Sequence, residues 1–370
     1  MKIGVVCYPT YGGSGVVASE LAIGMSERKH DVHVFSYQLP FRLQYKCANI
    51  TFHKVSTSEY PLFKYPPYSL SLANELADKI LEFDLDILHS HYAIPHGTCA
   101  FLAKEMLKGH KVKTITTLHG TDITLVGKDK SFLRITEHAM EISDGLTSVS
   151  HWLKDETYSH FNITKPIEVI PNFIDKEEYR DVELISYPDK KEIPLLCHIS
   201  NLRDVKRPLD VIEAFNLVLK KIPSKLMIVG EGPGLDSLIT LAGKYNILDH
   251  ITFKGTHSDI LDVLPCADIL LLPSDRESFG LVALEALGSG IPVVGYNVGG
   301  LPEVVKNGEN GYLVDVGDIS AMADSIISLL KDHQKLSEFR DEARIQSWNN
   351  FEKQKIIDQY EDYYQKVLSL

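Results

Sequence analysis

Short apolar runs alternate with amphipathic stretches along the chain, and this rhythm is typical of βαβ units with parallel strands. Residues 2–8 form the first apolar run, and the stretch 16–28 places Val17, Leu21 and Met25 on one face of a predicted helix. Further strands are predicted at 31–36, 50–54, 86–90, 113–118, 145–148 and 167–170. The first half of the chain therefore predicts an α/β domain around a parallel sheet.

The same rhythm restarts after residues 176–193, a charged, proline-containing segment that we interpret as a linker. Strands are then predicted at 195–200, 225–229, 251–254, 268–272 and 292–296, with helices such as 208–221 and 280–288 between them. These patterns predict two Rossmann-like α/β domains, 1–175 and 194–345, and a C-terminal helix, 346–370, that packs back on the first domain. Because ligands of open parallel sheets bind outside the carboxyl ends of the strands, we expect the two domains to face each other across a cleft.

Composition places the chain among ordinary globular proteins. Its 370 residues are 44% hydrophobic and 24% charged, and this length corresponds to roughly two domains. The 38 Lys and Arg residues against 50 Asp and Glu give a net charge of −12, which argues against a nucleic-acid-binding protein. An anionic substrate stays compatible with this charge, because a few local cations can hold it.

Cysteine usage and the N-terminal sequence indicate a reduced, cytoplasmic protein. The five cysteines are widely spaced and include no Cys-x-x-Cys pair, so neither a disulfide framework nor a zinc site is indicated. The N-terminal apolar run is too short for a signal peptide, and no apolar segment approaches the length of a membrane span. We therefore expect no stable membrane association and no nucleic-acid partner, and homo-oligomer formation is left open.

A glycine loop follows the first predicted strand. Gly13, Gly15 and Ala18 fit the pattern G-x-G-x-x-G/A, in which free amides at a helix N-terminus attract an anion. A dinucleotide site also needs an acid at the end of the second strand, and residues 34–38 contain none, so NAD is disfavoured. A tight turn without a ligand is the alternative here, and it is the preferred interpretation of the second glycine loop, 230–234.

Two glutamates mark the most specific segment of the chain. Glu277 falls in a predicted strand-to-helix loop, and Glu285 lies eight positions later on the helix, near its inner face with Leu281. A carboxylate on an apolar face needs partners, and one carboxylate can accept hydrogen bonds from both hydroxyls of a vicinal diol. A helix-capping acid followed by an exposed glutamate explains the spacing equally well.

The segment from Glu277 to Glu285, followed by Gly-Gly-Leu-Pro-Glu at 299–303, resembles the retaining family-4 glycosyltransferases of the GT-B fold. The glycine loop at 12–15 and the basic loop Asn-Leu-Arg-Asp-Val-Lys-Arg at 201–207 match the same family pattern. The resemblance covers essentially the whole chain. It implies two facing Rossmann-like domains and transfer of a sugar from a nucleotide donor.

The resemblance also implies a donor site. It places Glu285 on the ribose hydroxyls, Glu277 on the hexose hydroxyls and Lys206 on the leaving diphosphate. Lys206, Glu277 and His119, the last beside the sugar, are the implied catalytic residues. The other implied donor contacts are the amides of Gly15, Phe279, Gly280 and Leu281, the backbone near Gly255, and the side chains of Asn201 and Arg203. Asn201 departs from the arginine of the family, and Arg203 is the candidate that replaces its charge.

Local signatures at 7–15, 39–42, 63–68, 89–96 and 118–122 are similar to the branch of this family that acts in bacillithiol biosynthesis. That resemblance implies UDP-N-acetylglucosamine (UDP-GlcNAc) as the donor and L-malate as the acceptor. A dicarboxylate needs cations or hydrogen-bond donors; the candidates are Ser14, Lys64, Tyr92, Thr121 and Arg134, with Arg42 a weaker one. Each is equally well explained as a surface or structural residue.

We expect neither a cofactor nor a metal ion. His89, His91 and His96 lack an accompanying Glu at helical spacing and straddle a strand end, which disfavours a metal site. Lys206 and Arg203 are expected to balance the charge of the donor instead. Three alternatives stay open: a transferase of this fold with a lipid or polysaccharide acceptor, a nucleotide-sugar epimerase, and a sugar-binding protein without catalysis.

Overall fold

The structure is a computed structural model that describes residues 1–10, 13–44, 49–57, 64–180, 193–257 and 260–370, the side chains of Gln44 and Arg180 excepted. Gly12 of the glycine loop, Phe63 and residues 181–192 of the predicted linker lie outside these ranges. The chain divides into two compact units. Unit 1 consists of Met1–Asn172 and Lys353–Leu370, and unit 2 of Phe173–Glu352.

Unit 1 is built on a parallel sheet. Its strands are β1 (Lys2–Val6), β2 (Asp31–Ser36), β3 (Ile50–Lys54), β4 (Ile87–His91), β5 (Lys113–Leu118), β6 (Gly145–Ser148) and β7 (Ile167–Val169). They lie in the order β3-β2-β1-β4-β5-β6-β7. The helices of its first segment are α1 (Ser14–Glu27), α2 (Tyr68–Phe83), α3 (Thr98–Met106), α4 (Leu133–Ile142) and α5 (His151–His160). The apolar face of α2, with Leu72, Leu76 and Ile80, is fully buried in a core that includes Phe35 and Leu88.

Unit 2 repeats the architecture with a six-stranded parallel sheet. Its strands are β8 (Leu195–Ile199), β9 (Lys225–Val229), β10 (Ile251–Phe253), β11 (Ile269–Leu272), β12 (Val293–Tyr296) and β13 (Gly311–Val314), in the order β10-β9-β8-β11-β12-β13. Its helices are α6 (Lys176–Arg180), α7 (Pro208–Leu219), α8 (Leu235–Lys244), α9 (Leu281–Gly288), α10 (Leu301–Val304), α11 (Ile319–Lys331) and α12 (His333–Asn350). In both sheets the loops that follow the strands at their carboxyl ends carry the residues considered below.

Helix α13 (Lys353–Leu368) completes unit 1 by packing on α1. Its Tyr364 hydroxyl lies 2.7 Å from Nδ1 of His89, and the Leu146 amide donates to the Tyr363 hydroxyl at 2.8 Å. Lys353, 1% exposed, donates from Nζ to Oε2 of Glu20 at 2.9 Å. Polar groups of the sheet and of α1 are therefore satisfied by a helix that is distant in sequence.

We expect Lys353→Met to lower the free energy of unfolding of unit 1 by about 3 kcal/mol, because it leaves the buried Glu20 carboxylate without its main partner. The cost stays at the low end of the usual range because Nε of Arg42 lies 3.8 Å from the same carboxylate. Urea unfolding measures the effect. Lys366→Met on the same helix is the control: its ion pair with Glu168 is exposed, so it is expected to cost less than about 1 kcal/mol. Equal losses in the two variants would contradict the prediction.

The structure confirms the predicted pair of parallel α/β sheets, and each predicted strand matches an observed one to within two residues at either end. Strand β13 was not predicted, since it is a four-residue edge strand with three half-buried positions and little pattern. The predicted boundary at 345/346 falls inside α12, whereas the units divide after Glu352. The predicted domain bounds stay predictions.

Candidate active site

Two loops of unit 2 meet at the carboxyl ends of β8 and β11. The basic loop forms a short 3₁₀ turn, Asp204–Lys206, and the amide of Asp275 donates to the carbonyl of Val205 at 2.8 Å. Beside this contact the ammonium of Lys206 lies 2.5 Å from Oε1 of Glu277. The structure thus brings together two of the three predicted catalytic residues, although they are far apart in sequence.

Glu277 is held so that its two carboxylate oxygens differ. Oε1 accepts from Lys206 and also from the hydroxyl of Ser274 at 2.7 Å. Oε2 accepts no hydrogen bond from the described part of the chain. The Glu277 carbonyl accepts from the amide of Gly300, and a Cβ on Gly299 would lie 2.0 Å from that carbonyl oxygen, so only glycine fits there. This arrangement leaves Oε2 as an acceptor for a ligand hydroxyl.

The remaining predicted donor residues surround the same loops. Gly280 precedes α9 at φ 93°, and the first amides of the helix, beginning with Leu281, have no carbonyl partner within it. Phe279 is buried against Phe351, and Glu285 lies half-buried on α9. Of the other predicted donor residues, Gly255 is partly buried, and its carbonyl accepts from the amide of Gly230 at 2.7 Å. Asn201 and Arg203 are both exposed.

Sequence reasoning missed Arg207, which anchors the basic loop. Its Nε donates to Asp210 at 2.7 Å, its Nη1 lies 3.3 Å from Asp275, and its guanidinium sits over the ring of Tyr296. Arg207 adopts a left-handed φ of 44°. One side chain therefore ties the turn that carries Lys206 to the loop that carries Glu277. A bulky residue at a left-handed position was not recognisable from the sequence, because φ cannot be read from residue type.

In unit 1 the loops after β4 and β5 are joined by a buried carboxylate. Oδ2 of Asp122 accepts from the amide of Ala93 at 3.0 Å, and Oδ1 accepts from the amides of Gly120 and His119 at 2.8 and 3.2 Å. Burial raises the pKa of Asp122 to about 6, although these hydrogen bonds oppose the shift. In the sequence analysis Asp122 falls only within the local signature 118–122. Its position three residues after His119 is the signal for such a turn.

Three predicted residues lie on these joined loops. The ring centroids of Tyr92 and His119 are 5.2 Å apart. Thr121, two residues after His119, is exposed. Tyr92 adopts φ 91° and ψ 131°, a backbone conformation that non-glycine residues rarely adopt and that often marks functional sites. Nδ1 of His91 lies 2.9 Å from Nε2 of His119. Burial lowers the pKa of His119 to about 3, so its imidazole is neutral near pH 7.

The other predicted acceptor residues are spread over unit 1. Ser14 and Gly15 begin α1, and a Cβ on Gly15 would lie 2.7 Å from the carbonyl oxygen of Tyr8, which accounts for the glycine. Lys64 lies over the ring of its neighbour Tyr65, and Arg134 is exposed on α4. Among the described residues, no hydrogen bond or ion pair joins Lys64 or Arg134 to the loops of Tyr92 and His119.

The described residues contain no group of three or more His, Cys, Asp or Glu side chains arranged to hold a metal ion. His89, His91 and His96 instead hydrogen-bond to protein groups through Nδ1. Within the same ranges no helix combines the length and the apolar character needed to cross a bilayer.

The two halves of the chain match two family models. Residues 11–178 match the model described as Glycosyltransferase Family 4, and residues 180–346 match the model described as Glycosyl transferases group 1. Among solved structures, Anabaena HepE in complex with UDP and glucose has a TM-score of 0.82 at 19% identity, covering 99% of both chains. A glycosyltransferase from Rickettsia africae has a TM-score of 0.80 at 21% identity, covering 99% of this chain and 98% of that one. The fold is therefore that of the GT-B glycosyltransferases.

Curated relatives extend the match over the full length. The chain is 43% identical over 372 residues to the N-acetyl-alpha-D-glucosaminyl L-malate synthase of Bacillus anthracis, covering 100% of this chain and 97% of the relative. It is 29% identical to an uncharacterised glycosyltransferase of Methanocaldococcus jannaschii, with 90% of each covered. The chain belongs to the family-4 glycosyltransferases, and the predicted family and enzyme class are confirmed.

Proposed function

We propose that this protein transfers N-acetylglucosamine from UDP-GlcNAc to the hydroxyl of L-malate with retention at the anomeric carbon, the first step of bacillithiol biosynthesis. The observation that carries the proposal is the 43% identity, over 100% of this chain and 97% of the relative, to the Bacillus anthracis protein named for this product. A relative named for another acceptor matches at lower identity: the GDP-mannose-dependent alpha-(1-6)-phosphatidylinositol monomannoside mannosyltransferase of Mycobacterium tuberculosis is 28% identical over 69% of each chain.

In the proposed reaction the bond between C1 of the sugar and the β-phosphate oxygen breaks, and the malate hydroxyl oxygen bonds to C1 on the same face. The hydroxyl proton passes to a β-phosphate oxygen of the departing UDP, so no protein base is required. Negative charge grows on the diphosphate, and the ammonium of Lys206 stabilises it. Lysine carries three N–H donors, so Lys206 can keep its bond to Glu277 while donating to phosphate.

The other site residues are proposed to hold the two substrates. Glu277 accepts from sugar hydroxyls through Oε2, and Glu285 accepts from the ribose diol. The first amides of α9 and the amide of Gly15 add donors to the sugar and diphosphate; Asn201, Arg203 and the backbone at Gly255 complete the donor contacts. Ser14, Lys64, Tyr92, Thr121 and Arg134 are proposed for the two carboxylates of malate, and His119 for the donor sugar. We propose that the reaction proceeds without a metal ion.

Incubation with UDP-GlcNAc and L-malate in the presence of EDTA tests the proposal. We expect release of UDP together with a glycoside of malate, with the α-anomer identified by NMR and the mass by mass spectrometry. D-malate and a reaction without acceptor are the controls. UDP release that requires a lipid or a polysaccharide instead of malate would assign the chain to another acceptor, and formation of an epimerised nucleotide sugar would assign it to another reaction class.

A further inference from the structure

We infer that His91 is a positioning residue that fixes the tautomer of His119, so that the single proton of the His119 imidazole sits on Nδ1. The inference rests on the donor-sugar role proposed above for His119. It goes further by naming the residue that determines whether Nδ1 of His119 donates or accepts a hydrogen bond.

The two imidazoles form a direct pair on neighbouring strands. Nδ1 of His91, the last residue of β4, lies 2.9 Å from Nε2 of His119, which follows β5. Their ring centroids are 5.1 Å apart, and the His91 ring also stacks on the ring of His89 with the centroids 4.4 Å apart. His89 is itself held by the hydroxyls of Tyr364 and Thr117. The position of His91 is therefore set by the sheet and its packing rather than by a loop.

Both rings of the pair are neutral near pH 7. Burial lowers the pKa of His119 to about 3 and moves the pKa of His91 well below its ordinary value, with neighbouring histidines adding to the shift for both. A neutral imidazole has one N–H and one lone pair. One ring must therefore donate in this hydrogen bond and the other must accept.

The second nitrogen of His91 decides between the two arrangements. Nε2 of His91 is buried, and no described residue forms a hydrogen bond with it. If His119 were the donor, the proton of His91 would sit on this nitrogen as a buried N–H without an acceptor. Orphaned buried N–H groups are rarer in proteins than acceptors with an unused lone pair. The favoured arrangement has Nδ1–H of His91 donating to Nε2 of His119.

This arrangement leaves His119 with a donor where a substrate oxygen can reach it. Its backbone is fixed, since its amide donates to Asp122. His119 as a whole residue is partly exposed, and no described residue forms a hydrogen bond with its Nδ1. An N–H at this position suits a hydroxyl or acetamido oxygen of the donor sugar. The other tautomer would present a lone pair there and would repel a carbonyl oxygen.

Nitrogen-15 NMR of the free protein labelled at histidine tests the tautomer directly, with the His119 signals assigned by their loss in His119→Gln. We expect His119 to show a protonated Nδ1 and an unprotonated Nε2. In His91→Leu the preference is expected to disappear. The kcat of GlcNAc transfer is expected to fall about 10- to 100-fold, by analogy with metal-binding histidines that lose the partner orienting them. His91→Asn, whose side-chain N–H reaches the place of Nδ1, is expected to restore most of both.

His33→Leu is the matched control, because His33 and His53 form a second buried histidine pair at 2.9 Å on β2 and β3. We expect His33→Leu to lose a similar amount of stability while kcat and the His119 spectrum stay unchanged.

A proton on Nε2 of His119 in the unmodified protein overturns the inference whatever the activity. So does a folded His91→Leu with kcat equal to that of His33→Leu. Should His91→Leu not fold, His91→Asn with low kcat and an unchanged His119 spectrum overturns it. If the unmodified protein makes no malate glycoside but carries the proton on Nδ1, the proposed function fails and the tautomer assignment stands.

Discussion

Lys206→Ala is expected to lower kcat for GlcNAc transfer about 10²- to 10³-fold. The reason is that a preorganised donor aimed at developing charge contributes an effect of this size, and Lys206 is oriented by its bond to Glu277. Steady-state kinetics with UDP-GlcNAc and L-malate measure the loss. Lys221→Ala, which removes an exposed lysine just beyond α7, is the control and should leave kcat unchanged.

A double-mutant cycle separates this role from a purely structural one. Lys206 also balances the carboxylate of Glu277, which is only 9% exposed, so its loss could act through Glu277 alone. In that case Lys206→Ala would cost nothing in a Glu277→Gln background. We expect a further loss of at least about tenfold there, since the diphosphate still lacks its cation. An unchanged kcat in that background would refute a direct role for Lys206.

Unit 1 is expected to lose stability steeply as the pH falls below about 6. Burial lowers the pKa of His89 to about 3 and that of His96 to about 4, and it also moves the pKa of His91 well below its ordinary value. All three histidines are 0% exposed. Unfolding restores a pKa near 6.5, so the unfolded chain binds more protons and stability falls with decreasing pH. Each histidine contributes about 1.4 kcal/mol per pH unit. The pKa of Asp122 is raised, so this carboxyl changes stability in the opposite direction and offsets the contribution of about one histidine. The three histidines and Asp122 together then leave roughly 3 kcal/mol of lost stability per pH unit.

The two tryptophans allow each unit to be followed separately. Trp152 lies in unit 1 and Trp348 in unit 2, so Trp348→Phe reports unit 1 by fluorescence and Trp152→Phe reports unit 2. In unit 2 His198 is the described histidine with a lowered pKa, about 4. The urea midpoint of unit 2 is therefore expected to move much less between pH 7 and pH 5. Equal shifts in the two variants would show that the histidines of unit 1 are not the cause.

The fold was predictable because its signals are local. Parallel strands buried on both faces read as short apolar runs, and the helices between them carry apolar faces at helical spacing. Strand β13 escaped because a four-residue edge strand with three half-buried positions produces little pattern. The predicted boundary at 345/346 lies inside α12, which runs without a break across that position. Where contacts change from one unit to the other is a tertiary property that periodicity does not carry.

The candidate site was predictable only in part, for a related reason. Lys206 and Glu277 were identified as separate motif residues, but their direct ion pair arises from the neighbouring positions of β8 and β11 in the sheet. Arg207 and Asp122 hold the site loops through contacts that span several elements. His91 was considered only as a metal ligand and set aside. Its contact with His119 depends on the β4–β5 pairing, which residue spacing does not reveal.

Unit 1 is built from two chain segments that are separated by unit 2, and this affects how it folds during synthesis on the ribosome. The first 172 residues emerge before unit 2, while α13 emerges after it, and at ~5–20 residues per second the delay is roughly ten to forty seconds. During this time His89, Leu146 and Glu20 lack the partners that Tyr364, Tyr363 and Lys353 later supply. The nascent first segment therefore waits with unsatisfied polar groups and an uncovered apolar face, and unit 2 is the first part of the chain able to complete its fold.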